Sequence, residues 1–190
     1  MNDPMTTKKI HKKSSYDPHY SDNWNTPRSA YENILPFVEK YQTDHMLEKL
    51  VIWDPFFNGD GGTASEYMRD VFGPIGATII HENVWVDLNG RIPEFQATNL
   101  IITNPPYSKK NKPDTTRWMK ELGVPFMSLM PLETTMLKCM RPLLKDDLQL
   151  IIPNGRLCFE TKDGPTRSAP LGTSWFCFKM NFQNDLNFLT

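Results

Sequence analysis

Two short clusters hold most of the chemistry this sequence can offer. The first is Asp54-Pro55-Phe56-Phe57-Asn58-Gly59-Asp60-Gly61, a carboxylate followed by a glycine turn. Placed at the end of a strand, such a turn lets backbone approach a ligand closely. The same residues also make a tight strand-to-helix connection that binds nothing. The glycine spacing departs from G-x-G-x-x-G, no Lys-Ser/Thr pair follows as in a P-loop, and the Glu required by a calcium loop is absent. The second cluster, Thr103-Asn104-Pro105-Pro106-Tyr107, is more specific. Its two prolines fix the backbone outside any helix. The side-chain oxygen of Asn104 beside the carbonyl of Pro105 then gives two acceptors for the two hydrogens of a planar amino group. Tyr107 adds a flat face on which a nucleobase can stack. Asn-Pro-Pro is also a good turn sequence at a strand end.

Apolar spacing places these clusters. From Ser29 to Leu50 the spacing is helical, with Pro36 expected near the helix start. Residues 50–53 read as a buried strand ending at Asp54, and a helix capped by Thr63 or Ser65 runs to Phe72. Ala77–Ile80 reads as a second strand with His81-Glu82 at its carboxyl end, and Val84–Leu88 as a weaker third. Leu100–Thr103 reads as a central strand ending at Asn104. Residues 108–116 read as a surface loop, followed by a helix to Leu122 and a strand from Pro125 to Met130. Thr134–Leu144 reads as helix, Leu148–Ile152 with Leu157–Phe159 as strand or hairpin, Glu160–Gly172 as a second polar loop, and Thr173–Met180 as the final strand. Alternating strands and helices, some strands nearly all apolar, predict an α/β fold with a mostly parallel central sheet and helices on both faces. In such sheets ligands sit beyond the carboxyl ends of the strands, where Asp54, Glu82 and Asn104 all fall.

Composition narrows the classes. A chain of 190 residues points to one domain, expected over residues 23–190, after a mobile basic tail over residues 1–22 that carries Lys8, Lys9, Lys12 and Lys13. A net charge of −1 rules out a globally basic nucleic-acid coat but not a local basic patch. There is no run of the ~20 apolar residues that a membrane span needs, and no secretory leader, so the expected location is cytoplasmic. Cys139, Cys158 and Cys177 lack metal-ligand spacing and read as reduced thiols, the latter two packing as small hydrophobes. No metal site is expected. His81 reads as a strand-end packing residue, and no Ser-His-Asp order with a nucleophile elbow occurs. Lys109, Lys110 and Lys112, helped by Arg117 and Lys120, form either a phosphate-contacting patch or a solvated loop; Lys162 and Arg167 are weaker candidates.

Asn-Pro-Pro-Tyr after a strand, downstream of Asp-Pro-Phe and a Phe-x-Gly-x-Gly turn (Phe57 to Gly61), resembles S-adenosylmethionine-dependent amino-group methyltransferases. Trp24-Asn25-Thr26-Pro27 ahead of a helix, and Gly155-Arg156-x-x-Phe159, are similar to phage-type DNA N-6-adenine methyltransferases. The resemblance covers most of residues 22–180 and implies a single Rossmann-like class I methyltransferase domain. It implies that Asp54, Phe57, Gly59 and Gly61 surround the methionine end of S-adenosylmethionine, with Trp24, Asn25, Thr26 and Pro27 closing that end. Glu82 would accept from the ribose hydroxyls, and Asp87 would lie near the cofactor's adenine. Asn104, Pro105, Pro106 and Tyr107 would hold the target base, an adenine flipped from DNA.

Two departures stand out. Asp54 lies one residue further from the glycine turn than the family's usual acid, and Asp60 puts a carboxylate inside the turn. No segment is left over for a separate target-recognition domain. Methylation of an RNA base or a protein glutamine, or a non-catalytic binding module with this fold, are the alternatives.

Overall fold

In the computed structural model, residues 25–56, 63–81, 98–106, 111–161, 164–165 and 172–190 are described. The tail over residues 1–22 and the expected strand over 84–88 lie outside them. Among the described residues, a seven-stranded sheet runs through the middle of the molecule. Its strands are β1 (Val51–Asp54), β2 (Thr78–His81), β3 (Leu100–Thr103), β4 (Phe126–Pro131), β5 (Gln149–Ile152), β8 (Thr173–Phe178) and β9 (Leu186–Phe188), in the order β2-β1-β3-β4-β8-β5-β9. Between β5 and β8, β6 (Glu160–Thr161) and β7 (Gly164–Pro165) form a separate two-stranded ribbon.

The sheet separates two apolar layers because side chains alternate along each strand. On one face Ile52, Leu100, Ile102, Met127, Leu129, Ile151, Trp175 and Cys177 meet α1 (Arg28–Asp44) and α2 (Thr63–Phe72), through residues such as Tyr31, Ile34, Val38, Met68 and Phe72. On the other, Trp53, Ile101, Phe126, Met130, Leu150, Phe176 and Phe178 meet α3 (Asn111–Leu122) and α4 (Arg141–Leu144), through Met119, Met140 and Leu144. Strands β1, β3, β4 and β8 are buried along their whole length, although Thr173–Met180 reads as an alternating strand.

The sheet is mixed rather than mostly parallel. Strands β2, β1, β3 and β4 run parallel. Strand β8 runs antiparallel to both β4 and β5, while β9 is parallel to β5. The reason lies in the connection. Strand β5 finishes at the end of the sheet where β8 starts, with Thr173 opposite Pro131, the last residue of β4. A strand that starts at the end where its neighbours finish must run the other way. Burial along Thr173–Phe178 is the same for either direction, so the residue pattern carries no sign of it.

Five local expectations are also corrected. Pro36 falls in the middle of α1 rather than near its start, and Pro27 occupies the N-cap. The helix passes through Pro36 because that position is exposed, so water can satisfy the Glu32 carbonyl that loses its donor. Residues 111–116 are helix rather than surface loop, with Lys112, Thr115 and Thr116 buried. The expected helix over 134–144 divides into a 3-10 turn (Leu132–Met136) and the short α4, since Pro142 is tolerated only in a first turn. Residues 157–159 form no hairpin with β5, whose neighbours are β8 and β9. Extended alternation turns Cys158 outward between buried Leu157 and Phe159, so only Cys177 of the pair packs as a hydrophobe.

Candidate active site at the carboxyl ends of β1 and β3

Strand β1 has β2 on one side and β3 on the other. The chain therefore leaves β1 in one direction for β2 and returns past β1 to β3, making a topological switch point between β1 and β3. The carboxyl ends of strands at such a point border the crevice in which open α/β sheets bind ligands. Asp54 is the last residue of β1, and Asn104 directly follows β3. Asp54 and Asn104, far apart in sequence, thus lie at the same end of two neighbouring strands.

Asp54 is 7% exposed, so its carboxylate needs partners. Its Oδ1 accepts the Thr103 hydroxyl at 2.6 Å and the backbone N–H of Phe56 at 3.3 Å. Its Oδ2 lies 3.8 Å from Nδ1 of His81, the residue opposite it at the end of β2. From below, Tyr31 of α1 is fully enclosed. Burial, reinforced by the negative charge of Asp54, pushes its phenol well above the ordinary tyrosine range, so it stays a neutral hydroxyl. Tyr31 also shares a hydrogen bond with Thr26, itself 2% exposed. The Asn25-Thr26-Pro27 element is thereby joined to the neighbourhood of Asp54 through one tyrosine.

The same element is pinned on its other side. Asn25 and Glu160 exchange backbone hydrogen bonds, N–H to carbonyl at 2.9 Å and 3.1 Å, and the Tyr67 hydroxyl lies 3.3 Å from both carboxylate oxygens of Glu160. Burial and the Glu160 charge raise the Tyr67 phenol, which keeps it protonated as a donor to that carboxylate. Upstream of this bridge, Gly155 turns at φ 102°, a conformation that a side chain would strain, while Arg156 is exposed and Phe159 enters the core.

Of the predicted site residues, Asn25, Thr26, Pro27, Asp54, Asn104, Pro105 and Pro106 fall within this region of the fold. Pro105 is buried, and Asn104 and Pro106 are half-buried. Trp24, Phe57, Gly59, Gly61, Glu82, Asp87, Tyr107, Lys109, Lys110, Lys162 and Arg167 lie outside the described residues.

The basic residues that are described divide sharply. Lys112 is only 6% exposed in the first turn of α3, and burial holds its amine below the ordinary lysine range, offset in part by Glu133 and Cys139. Lys120 donates to the Leu143 carbonyl at 2.8 Å and lies 4.7 Å above the Phe178 ring, so it ties α3 to the strands and α4. Arg117 is on the surface, paired with Asp114 at 3.0 Å. Of the three, Arg117 alone presents its charge to solvent.

Sequence reasoning missed Tyr31, read His81 only as strand-end packing, and gave Thr103 no role beyond opening the Asn104 cluster. Position alone gave a signal for the last two: each ends a strand beside a residue already singled out, and Thr103 is the only polar residue of β3. Tyr31 gave none, since an aromatic on the buried stripe of a helix reads as core. Among the described residues, no group of three or more His, Cys, Asp or Glu gathers to hold a metal ion. No described helix is long and apolar enough to cross a membrane. No protein-family model matches the chain, and no curated protein matches it.

Proposed function

We propose that this chain is an S-adenosylmethionine-dependent methyltransferase acting on the exocyclic N6 amine of adenine in DNA, with a Rossmann-like class I domain and a cytoplasmic location. One observation carries the reading. An acidic strand end and an Asn-Pro-Pro turn, recruited from separate parts of the chain, lie side by side at a switch point and are joined by the Thr103–Asp54 hydrogen bond. A ligand-holding carboxylate and an amine-gripping turn need this adjacency, because the group given and the atom receiving it must meet. A tight turn that binds nothing gives no reason for a buried carboxylate to stand beside it.

The donor set fits the methionine end of the cofactor. Asp54 holds Oδ1 on the Thr103 hydroxyl and the Phe56 N–H, its Oδ2 on the His81 side accepts from the cationic amine, and buried Thr26 and Pro27 border the same neighbourhood. S-adenosylmethionine supplies an electrophilic methyl group on a sulfonium sulfur. The rest is done by this chain. Adenine's amino nitrogen is a poor nucleophile because its lone pair is delocalised into the ring. Acceptors at Asn104 Oδ1 and the Pro105 carbonyl hold its two hydrogens and favour the pyramidal nitrogen as positive charge develops. Such contacts are stronger in the transition state than in the ground state, and they raise kcat. Positioning supplies much of the remaining acceleration. Tyr107 stacks on the base by resemblance to the family, and of Lys112, Arg117 and Lys120 it is Arg117 that is exposed to meet DNA phosphate.

Cofactor binding tests the reading without any assumption about the methyl acceptor. Wild-type protein titrated with S-adenosylhomocysteine in a calorimeter should bind it, and Asp54→Ala should weaken binding at least about tenfold through loss of one charge-assisted contact. Undiminished binding by Asp54→Ala would move the cofactor elsewhere, and no binding by wild type would leave a binding module with this fold.

A further inference from the structure

The Thr103 hydroxyl lies 2.6 Å from Asp54 Oδ1, and its own backbone continues directly into Asn104. Resting on the methyltransferase reading above, we propose that Thr103 is a positioning residue that couples the cofactor-holding carboxylate to the amine-gripping turn.

The geometry argues for more than the satisfaction of a buried hydroxyl. Thr103 is 1% exposed and ends a strand whose other three residues, Leu100, Ile101 and Ile102, are entirely apolar. A hydroxyl in that place is costly unless bonded, and its bond goes to a carboxylate on the neighbouring strand rather than to nearby backbone. With the Phe56 N–H on the same oxygen, Oδ1 is held from two directions, one from its own turn and one from β3. The carboxylate can then rotate little, and Oδ2 keeps a fixed direction, on the side of His81. The same bond ties the end of β3 to the end of β1, beyond their last paired residues Ile101 and Trp53. A shift of one strand end is therefore transmitted to the other. Catalysis that depends on near-attack geometry is sensitive to displacements of this kind.

The test uses the full-length protein and two readouts: affinity for S-adenosylhomocysteine by calorimetry, and steady-state methyl transfer to unmethylated DNA. Thr103→Val, which keeps the shape and removes the donor, should weaken S-adenosylhomocysteine binding about tenfold and lower kcat about tenfold, with KM for DNA within about twofold. Thr103→Ser should restore both quantities to within about threefold of wild type. In an Asp54→Ala background, Thr103→Val should weaken binding by less than about twofold, because the acceptor is already gone. Circular dichroism checks that each variant is folded; if Thr103→Val is not, Thr103→Ala carries the same expectations.

A donor-less variant that binds and turns over like wild type would overturn the role while leaving the methyltransferase reading intact. Failure of Thr103→Ser to rescue would do the same, as would a full tenfold effect in the Asp54→Ala background. A wild-type protein that binds no S-adenosylhomocysteine would overturn the reading and the role together.

Discussion

Asn104→Ala is expected to lower kcat for methyl transfer by at least about 100-fold while leaving affinity for S-adenosylhomocysteine within about twofold of wild type. The two halves of this result come from different atoms. Asn104 follows β3 and gives its side-chain oxygen to the amine, an interaction that strengthens only as the nitrogen becomes pyramidal and positive. Removing it costs transition-state stabilisation of the kind lost when one preorganised polar partner is deleted from an active site. The cofactor-holding group is Asp54, whose Oδ1 accepts from the Thr103 hydroxyl and the Phe56 N–H. An Asn104→Ala protein that retained activity would refute the amine-acceptor role. Equal loss of binding and turnover would mean that the substitution had disturbed the strand end rather than the chemistry. Methyl-transfer kinetics and calorimetry on the same preparation separate these outcomes.

The largest expected effect on stability is at Trp175. This residue is 0% exposed in the middle of β8, opposite Leu129 of β4 and Ile151 of β5, with the Tyr31 ring 6.2 Å away. Trp175→Ala should cost ~3–5 kcal/mol, from lost burial and from the cavity left in a close-packed layer. For a chain of this size that corresponds to a fall in Tm of roughly 10 °C. Trp175→Phe should cost clearly less. The Trp175 Nε1–H is buried with no hydrogen-bond partner among the described residues, so its removal relieves a desolvation penalty that partly offsets the smaller ring. Urea unfolding of the three proteins checks the order wild type, Phe, Ala. A loss below about 1 kcal/mol for Trp175→Ala would contradict its place at the centre of the layer.

The elements that position the site were legible because their signals are local. Residues 50–54 and 100–104 are short apolar runs that stop at a polar residue next to proline, and each becomes a buried strand with its special residue at the carboxyl end. The α/β class and the two helix-covered faces follow from the same alternation. What the sequence hid depends on distant partners. The direction of β8 is set by which end of the sheet the chain re-enters, a property of the connection over residues 153–172. Strand β9 has only three residues, two of them exposed, and exists because β5 leaves an edge for it. Lys112 sits in a polar run that reads as solvated loop, yet α3 begins there and turns it inward. At the site, Asp54 and Asn104 could each be singled out alone. Their adjacency, and the hydroxyl that joins them, became visible only when strand order placed β3 beside β1.

The most direct measurement is transfer of a radiolabelled methyl group from S-adenosylmethionine to unmethylated DNA, with RNA and protein offered in parallel and Asn104→Ala as control. The expected result is label recovered from DNA as N6-methyladenine and lost in the mutant. Label on RNA or protein alone would keep the amine chemistry and contradict the substrate, and no label on any acceptor would contradict the account of Asp54 and Asn104 as two halves of one methyl-transfer site.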